Sequence, residues 1–169
     1  MFDSLENIAK IETNDSNEII ILDNGPNSVL TRVTNYGAVL KRTFLSEHVS
    51  KPSDFTSHEN KYFVTDLTGN KIIGIGDDGF VFLKFSHVNA SPLSIQLDSQ
   101  LNILVSDRYD SKFNVYVYTS RGILQKKFRT EDKNANGCSA IQIMHDGSIF
   151  SISKTCNYNN VLKFSKLRT

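Results

Sequence analysis

Any metal centre or acid–base pair in this 169-residue chain would have to come from four histidines, two cysteines and its carboxylates. His48, His58, His87 and His145 stand at no metal-ligand spacing, and neither His-x-His nor His-Glu-x-x-His occurs. They read as surface loop residues. Cys138 and Cys156 have no matched histidines, whereas a zinc site needs about four ligands, so they read as ordinary reduced residues. The sequence therefore assigns no catalytic residue, no metal and no cofactor. Gly74-Ile75-Gly76-Asp77-Asp78-Gly79 copies the spacing of a dinucleotide loop. A strand pattern, not a helix, follows Gly79, so no helix N-terminus is offered to a phosphate. Its glycines read instead as turn residues tolerant of positive φ. Asp23, Asp66 and Asp107 resemble a carboxylate cluster, but each closes an apolar run. That placement predicts a structural task, a side-chain oxygen satisfying backbone amides of the turn that follows.

The elements that would position these residues repeat along the chain. Pro92 to Phe128 holds four short apolar runs divided by polar turns, which predicts four strands in one antiparallel sheet. Gly37, Gly79 and Gly122 recur at steps of 42 and 43 residues; Phe44, Phe85 and Phe128 at 41 and 43; Asp23, Asp66 and Asp107 at 43 and 41. Periods of about 40–45 residues with four strands each mark β-propellers. A β-sandwich is the competing reading, but its turns recur faster and carry no longer echo. The expected fold is all-β and propeller-like, a single domain over residues 1–169. It has about four repeats of four-stranded antiparallel blades, near 8–44, 55–85, 92–128 and 138–167. Leu5, Ile8 and Ile11 fit a helical turn, but blade register favours strand. Residues 45–54, with Pro52, read as a connection, and the first strand of the second blade near Phe55–His58 is poorly marked. Asp110 to Phe113 reads as a long loop. The last blade lacks a fourth run after Leu167, which predicts an open arc or partial ring whose unpaired edges invite self-association.

Composition sets bounds on function. The chain is 39% hydrophobic and 22% charged, with 19 basic against 18 acidic residues, an ordinary globular balance. The near-zero net charge gives no global drive toward nucleic acid or anionic membranes. No run approaches 18 consecutive apolar residues, and the start lacks signal-peptide regions. Two cysteines are too few for a disulfide framework, so the expected setting is reducing and cytoplasmic.

The best-formed repeat resembles an NHL repeat, the blade of a propeller family found in tripartite-motif (TRIM-NHL) proteins. The resemblance rests on Pro92, Ile95, Leu97-Asp98, Asn102-Ile103-Leu104-Val105-Ser106-Asp107-Arg108, Val115-Tyr116-Val117-Tyr118 and Gly122 to Phe128. Ser94 departs from it, standing where the family usually has glycine. The resemblance implies a non-catalytic recognition module, because such propellers often end tripartite-motif ubiquitin ligases and several bind single-stranded RNA. Ubiquitin-ligase activity would need a RING pattern that these residues lack. The alternative from other propeller relatives is a small metal-dependent hydrolase or lyase.

In a four-stranded blade the second-to-third-strand loops share a side with the connections between blades. On that side the sequence places Lys51, Lys71, Arg108, Tyr109, Lys112, Arg129, Lys133, Lys154 and Tyr158. Basic residues interleaved with aromatics hold phosphates and stack bases. Asp110, Glu131 and Asp132 dilute the set, and a solvated rim is the competing reading. The expected binding residues are Arg108, Tyr109, Lys112, Arg129, Lys133, Lys71 and Lys154, facing a protein partner or single-stranded RNA.

Overall fold

The computed structural model describes residues 6–88, 91–109, 112–129, 139–143, 149–154 and 160–165. Every regular element among them is a strand, and all pairing is antiparallel. The first sheet is β1 (Ile8–Thr13), β2 (Ile19–Asp23), β3 (Val29–Val33) and β4 (Val39–Phe44), in that spatial order. The second is β5 (Pro52–His58), β6 (Lys61–Asp66), β7 (Lys71–Gly76) and β8 (Val81–Ser86). The third is β9 (Pro92–Leu97), β10 (Ile103–Tyr109), β11 (Lys112–Tyr118) and β12 (Leu124–Arg129). The fourth has three strands among the described residues, β13 (Ser139–Ile143), β14 (Ile149–Lys154) and β15 (Asn160–Ser165).

Two differences from the expected boundaries have simple causes. Strand β5 begins at Pro52, inside the expected connection. A proline is tolerated there because it opens the strand, where no ladder donor is required of it. Residues 112–113, expected in a loop, belong to β11, because β10 and β11 stay paired to Tyr109↔Lys112.

The repeat is written into register as well as length. In each of the first three sheets the first strand carries one irregularity, at Ile8/Lys10, Pro52/Asp54 and opposite Ser106/Asp107. Each outer strand carries another, so that Leu40, Phe82 and Gln125 are extra residues opposite β3, β7 and β11. A bulge re-aims the side chain it carries, and Leu40 and Phe82 are indeed exposed. The turns into β4, β8 and β12 also repeat: Gly37, Gly79 and Gly122 have φ of 84°, 86° and 79°. Their amides donate to the carbonyls of Thr34, Gly76 and Thr119. Gly74 differs from the expectation. It lies within β7, where an added Cβ would come within 2.7 Å of the Phe82 ring and 2.9 Å of Leu83 Cβ. Close approach, not positive φ, requires glycine there.

The chain divides into two compact units, Met1–Ser86 and His87–Thr169. In the first, Ile20, Leu22, Leu30, Leu45, Val49, Phe55, Tyr62, Val64, Ile73 and Ile75 form one buried core between the two sheets. Polar clamps flank it. Lys10 Nζ pairs with Asp54 Oδ1 at 2.9 Å and Glu12 Oε2 at 3.2 Å, while Glu12 Oε1 accepts from the Ser57 amide and hydroxyl. Arg32 donates to Asn60 Oδ1 at 2.7 Å and pairs with Glu18 and Asp77. In the second unit Leu104, Val115 and Ile141 form a core against which Val117, Phe128 and Ile143 pack.

Candidate functional site

The three repeat aspartates organise the loop ends of the first three sheets. Asp23 ends β2 and accepts from the backbone amides of Glu6, Asn7 and Gly25 at 2.8, 3.1 and 2.9 Å. Asp66 ends β6 and accepts from Ser50, Lys51 and Gly69 at 3.1, 3.0 and 3.0 Å. Each carboxylate thus ties the segment entering its sheet to the turn leaving the second strand, one more connection than the sequence suggests. Burial alone would raise both pKa values; the converging amides outweigh it and hold both below the ordinary carboxylate range.

Between these two anchors, in the first unit, lies a cavity of about 740 Å³. Its walls are Glu6 and Asn7 before β1, Asn24, Gly25, Pro26 and Ser28 between β2 and β3, Ser46, Val49, Ser50 and Lys51 between β4 and β5, and Thr68 after β6. Among the described residues that line it, Glu6 and Lys51 are charged, Val49 and Pro26 are apolar, and none is aromatic. Asn24 Nδ2 reaches the Pro52 carbonyl at 3.4 Å, and its Oδ1 is buried with no hydrogen-bond partner.

Asp107 has side-chain partners instead. His87 Nε2 lies 3.0 Å from Asp107 Oδ2, Asn114 Nδ2 donates to Oδ1 at 2.8 Å, and the Tyr118 hydroxyl lies 2.8 Å from His87 Nδ1. A proton on Nε2 satisfies the chain in one direction: the ring donates to the carboxylate and accepts from the Tyr118 O–H. The His87 ring also packs edge-on against Tyr116, with centroids 4.7 Å apart. His87 is 3% exposed, so the surface reading of this histidine is corrected; spacing in sequence carried no sign of partners 20 and 31 residues away. Burial raises the Tyr118 pKa well above its ordinary value, so the hydroxyl is a hydrogen-bond donor, not a titrating group.

The expected binding residues are divided by the structure. In the first two sheets second-to-third-strand pairing ends at the aspartate, at Asp23↔Val29 and Asp66↔Lys71. In the third it continues past Asp107↔Asn114 to Arg108↔Phe113 and Tyr109↔Lys112. Two further pairs lengthen this hairpin by about 7 Å. Tyr109 is 52% exposed at its end. Register places 109, 112 and 129 on one face of the sheet, since Asn114 pairs with Arg129. Position 108 falls on the other face. Lys71 begins β7 in the first unit, beside the turn that includes Thr68. Lys154 ends β14 at the corresponding end of the fourth sheet. Lys133, Tyr158, His145, Cys138 and Cys156 lie outside the described residues. Among the described residues no group of three or more His, Cys, Asp or Glu side chains could hold a metal ion, and no helix is long and apolar enough to cross a membrane.

No protein-family model and no curated protein matches the chain. Solved structures do. Virginiamycin B lyase from Staphylococcus aureus superposes with a TM-score of 0.66 at 19% identity, over 96% of this chain and 56% of its own. The WD40 propeller domain of Doa1 gives 0.63 at 13%, over 86% and 47%. A putative gluconolactonase gives 0.62 at 16%, over 86% and 57%. The fold is a partial β-propeller. At these identities the likeness shows the fold alone, and the chain spans about half the length of these propellers.

Proposed function

We propose that this partial propeller is a non-catalytic recognition module that binds a protein or single-stranded RNA through its second-to-third-strand loops. The lengthened β10–β11 hairpin carries the reading. It sets a half-exposed tyrosine and two basic positions, 112 and 129, on one face at the end of the best-matched repeat. A ring there supplies stacking worth about 1–3 kcal/mol per base, and the cations meet phosphates in a salt-dependent way. The WD40 neighbour favours a protein partner in the same role. Titration with a single-stranded oligouridylate at low salt tests the proposal. Tyr109→Ala with Lys112→Ala should weaken binding and flatten its salt dependence, while Arg108→Ala, on the opposite face, should have the smaller effect. Absence of wild-type binding at low salt would remove RNA and leave the protein partner.

A metal-dependent lyase or hydrolase is the second reading, favoured by the likeness to virginiamycin B lyase and the gluconolactonase. Metal analysis of the purified protein separates the two: stoichiometric tightly bound calcium or zinc would favour the enzyme.

A further inference from the structure

The outer edge of the third sheet is set apart by its charge. β12 ends that sheet: β11 pairs with one side of it, and among the described residues no strand pairs with the other. Every residue of β12 except Phe128 is exposed. An edge strand presents unpaired N–H and C=O groups. After the irregularity at Gln125, Lys126 to Arg129 pair regularly with β11, so their open side is regular too. From Lys112 to Arg129 the β11–β12 hairpin has five basic residues and no acidic one, in a chain of net charge +1. The nearest acidic residues in sequence are Asp110 and Glu131. The other outer hairpins differ. β7–β8 offsets Lys71 and Lys84 with Asp77 and Asp78, and in β3–β4 Arg32 is already paired with Glu18 and Asp77.

The two central cations of β12 are neighbours in sequence and so belong to opposite faces of the sheet. Lys126 Nζ lies 4.9 Å from the Phe128 ring centroid, and Lys127 Nζ lies 4.8 Å from that of Tyr116. Each ring holds a cation on its face, and Tyr116 is fully buried, so neither offers a platform to a base. Phosphates accept hydrogen bonds but cannot answer the carbonyls of an edge, whereas a polypeptide carries both donor and acceptor at each residue. Edge lysines deter a strand of like charge, which sets β12 against the β12 of a second copy.

We propose that β12 binds an extended acidic peptide as a fifth strand of the third sheet, with adjacent carboxylates of the peptide meeting Lys126 on one face and Lys127 on the other. In such strand addition main-chain hydrogen bonds give affinity and side chains give specificity. Acids at consecutive positions, rather than alternate ones, are needed to reach both faces. This site goes beyond the loop-side reading. That reading turns on Tyr109 and an oligouridylate; this one turns on Lys126, Lys127 and the backbone of β12, so the two fail separately.

The test uses the whole chain labelled with ¹⁵N and three end-blocked hexapeptides: Val-Glu-Glu-Glu-Glu-Val, the same peptide N-methylated at its four glutamates, and its counterpart with lysine for glutamate. The acidic peptide should bind saturably and slow hydrogen exchange at alternate amides of β12. The N-methylated peptide keeps the charge but loses the donors, and should bind at least about tenfold more weakly. The lysine peptide should not bind. Lys126→Gln with Lys127→Gln should weaken binding of the acidic peptide, and Lys126→Glu with Lys127→Glu should abolish it. Both pairs should keep the wild-type unfolding midpoint, since these side chains are exposed. Equal binding of the N-methylated peptide would reduce the edge to a general anion site and overturn the proposal. Displacement of the peptide by a single-stranded oligouridylate would assign the edge to nucleic acid and overturn it too, as would absence of binding by the acidic peptide.

Discussion

The aspartates show how one repeat position keeps its work in two repeats and changes it in the third. Asp23 and Asp66 each accept from at least three backbone amides, and both have pKa values below the ordinary carboxylate. A folded pKa lower than the unfolded one means stability present above about pH 4 and lost as pH falls through the folded value. Thermal unfolding followed from neutral pH into acid should therefore show a falling midpoint below about pH 4, and Asp66→Asn should flatten that fall. At neutral pH the same variant should lose about 1–3 kcal/mol, because hydrogen bonds to a charged acceptor become bonds to a neutral one. Gly69→Ala should mimic it: an added Cβ would stand 2.2 Å from Asp66 Oδ2 and displace the carboxylate. A Gly69→Ala protein with wild-type midpoint would show that Asp66 is not the anchor. In the third repeat Tyr118→Phe leaves His87 Nδ1 buried without its hydroxyl donor and should cost about 1–3 kcal/mol in denaturant unfolding.

At the scale of elements, strands and turns were legible because their signals are local. Alternation, β-branched runs and Gly37, Gly79 and Gly122 mark them within a few residues. Val105, in the middle of the apolar run of β10, is 0% exposed. Val105→Asp buries an unpaired carboxylate and should cost several kcal/mol, a large share of the ~5–15 kcal/mol that a domain holds; an unchanged midpoint would mean that β10 is misread. What stayed hidden was relational. Nothing in Asp110 to Phe113 reveals that strand pairing persists to Tyr109↔Lys112, since polar and charged residues there also suit a loop. Pro52 hid the start of β5 for the same reason. The cavity was half legible: Lys51 was on the chosen side, but the Asn24 side chain is held by the Pro52 carbonyl, a contact 28 residues away that no local signal carries.

For the molecule as a whole, the three-stranded fourth sheet matters most. β15 pairs with β14 alone among the described residues, whereas β3, β7 and β11 are each covered by an outer strand. An uncovered edge is a template for another strand. Sedimentation over a range of concentrations should therefore show self-association, and a monomer at every concentration would count against it.

The aspartate anchors also reach into dynamics. Amides in surface connections normally surrender their protons to solvent quickly, because nothing holds them. Here the amides of Glu6, Asn7, Gly25, Ser50, Lys51 and Gly69 are bonded to carboxylates that move only when two segments open together. Deuterium uptake should thus reveal isolated slow sites within otherwise fast-exchanging loops. The connections of this protein would behave as short tethered spans, each slack in its middle and held fast where it meets a carboxylate.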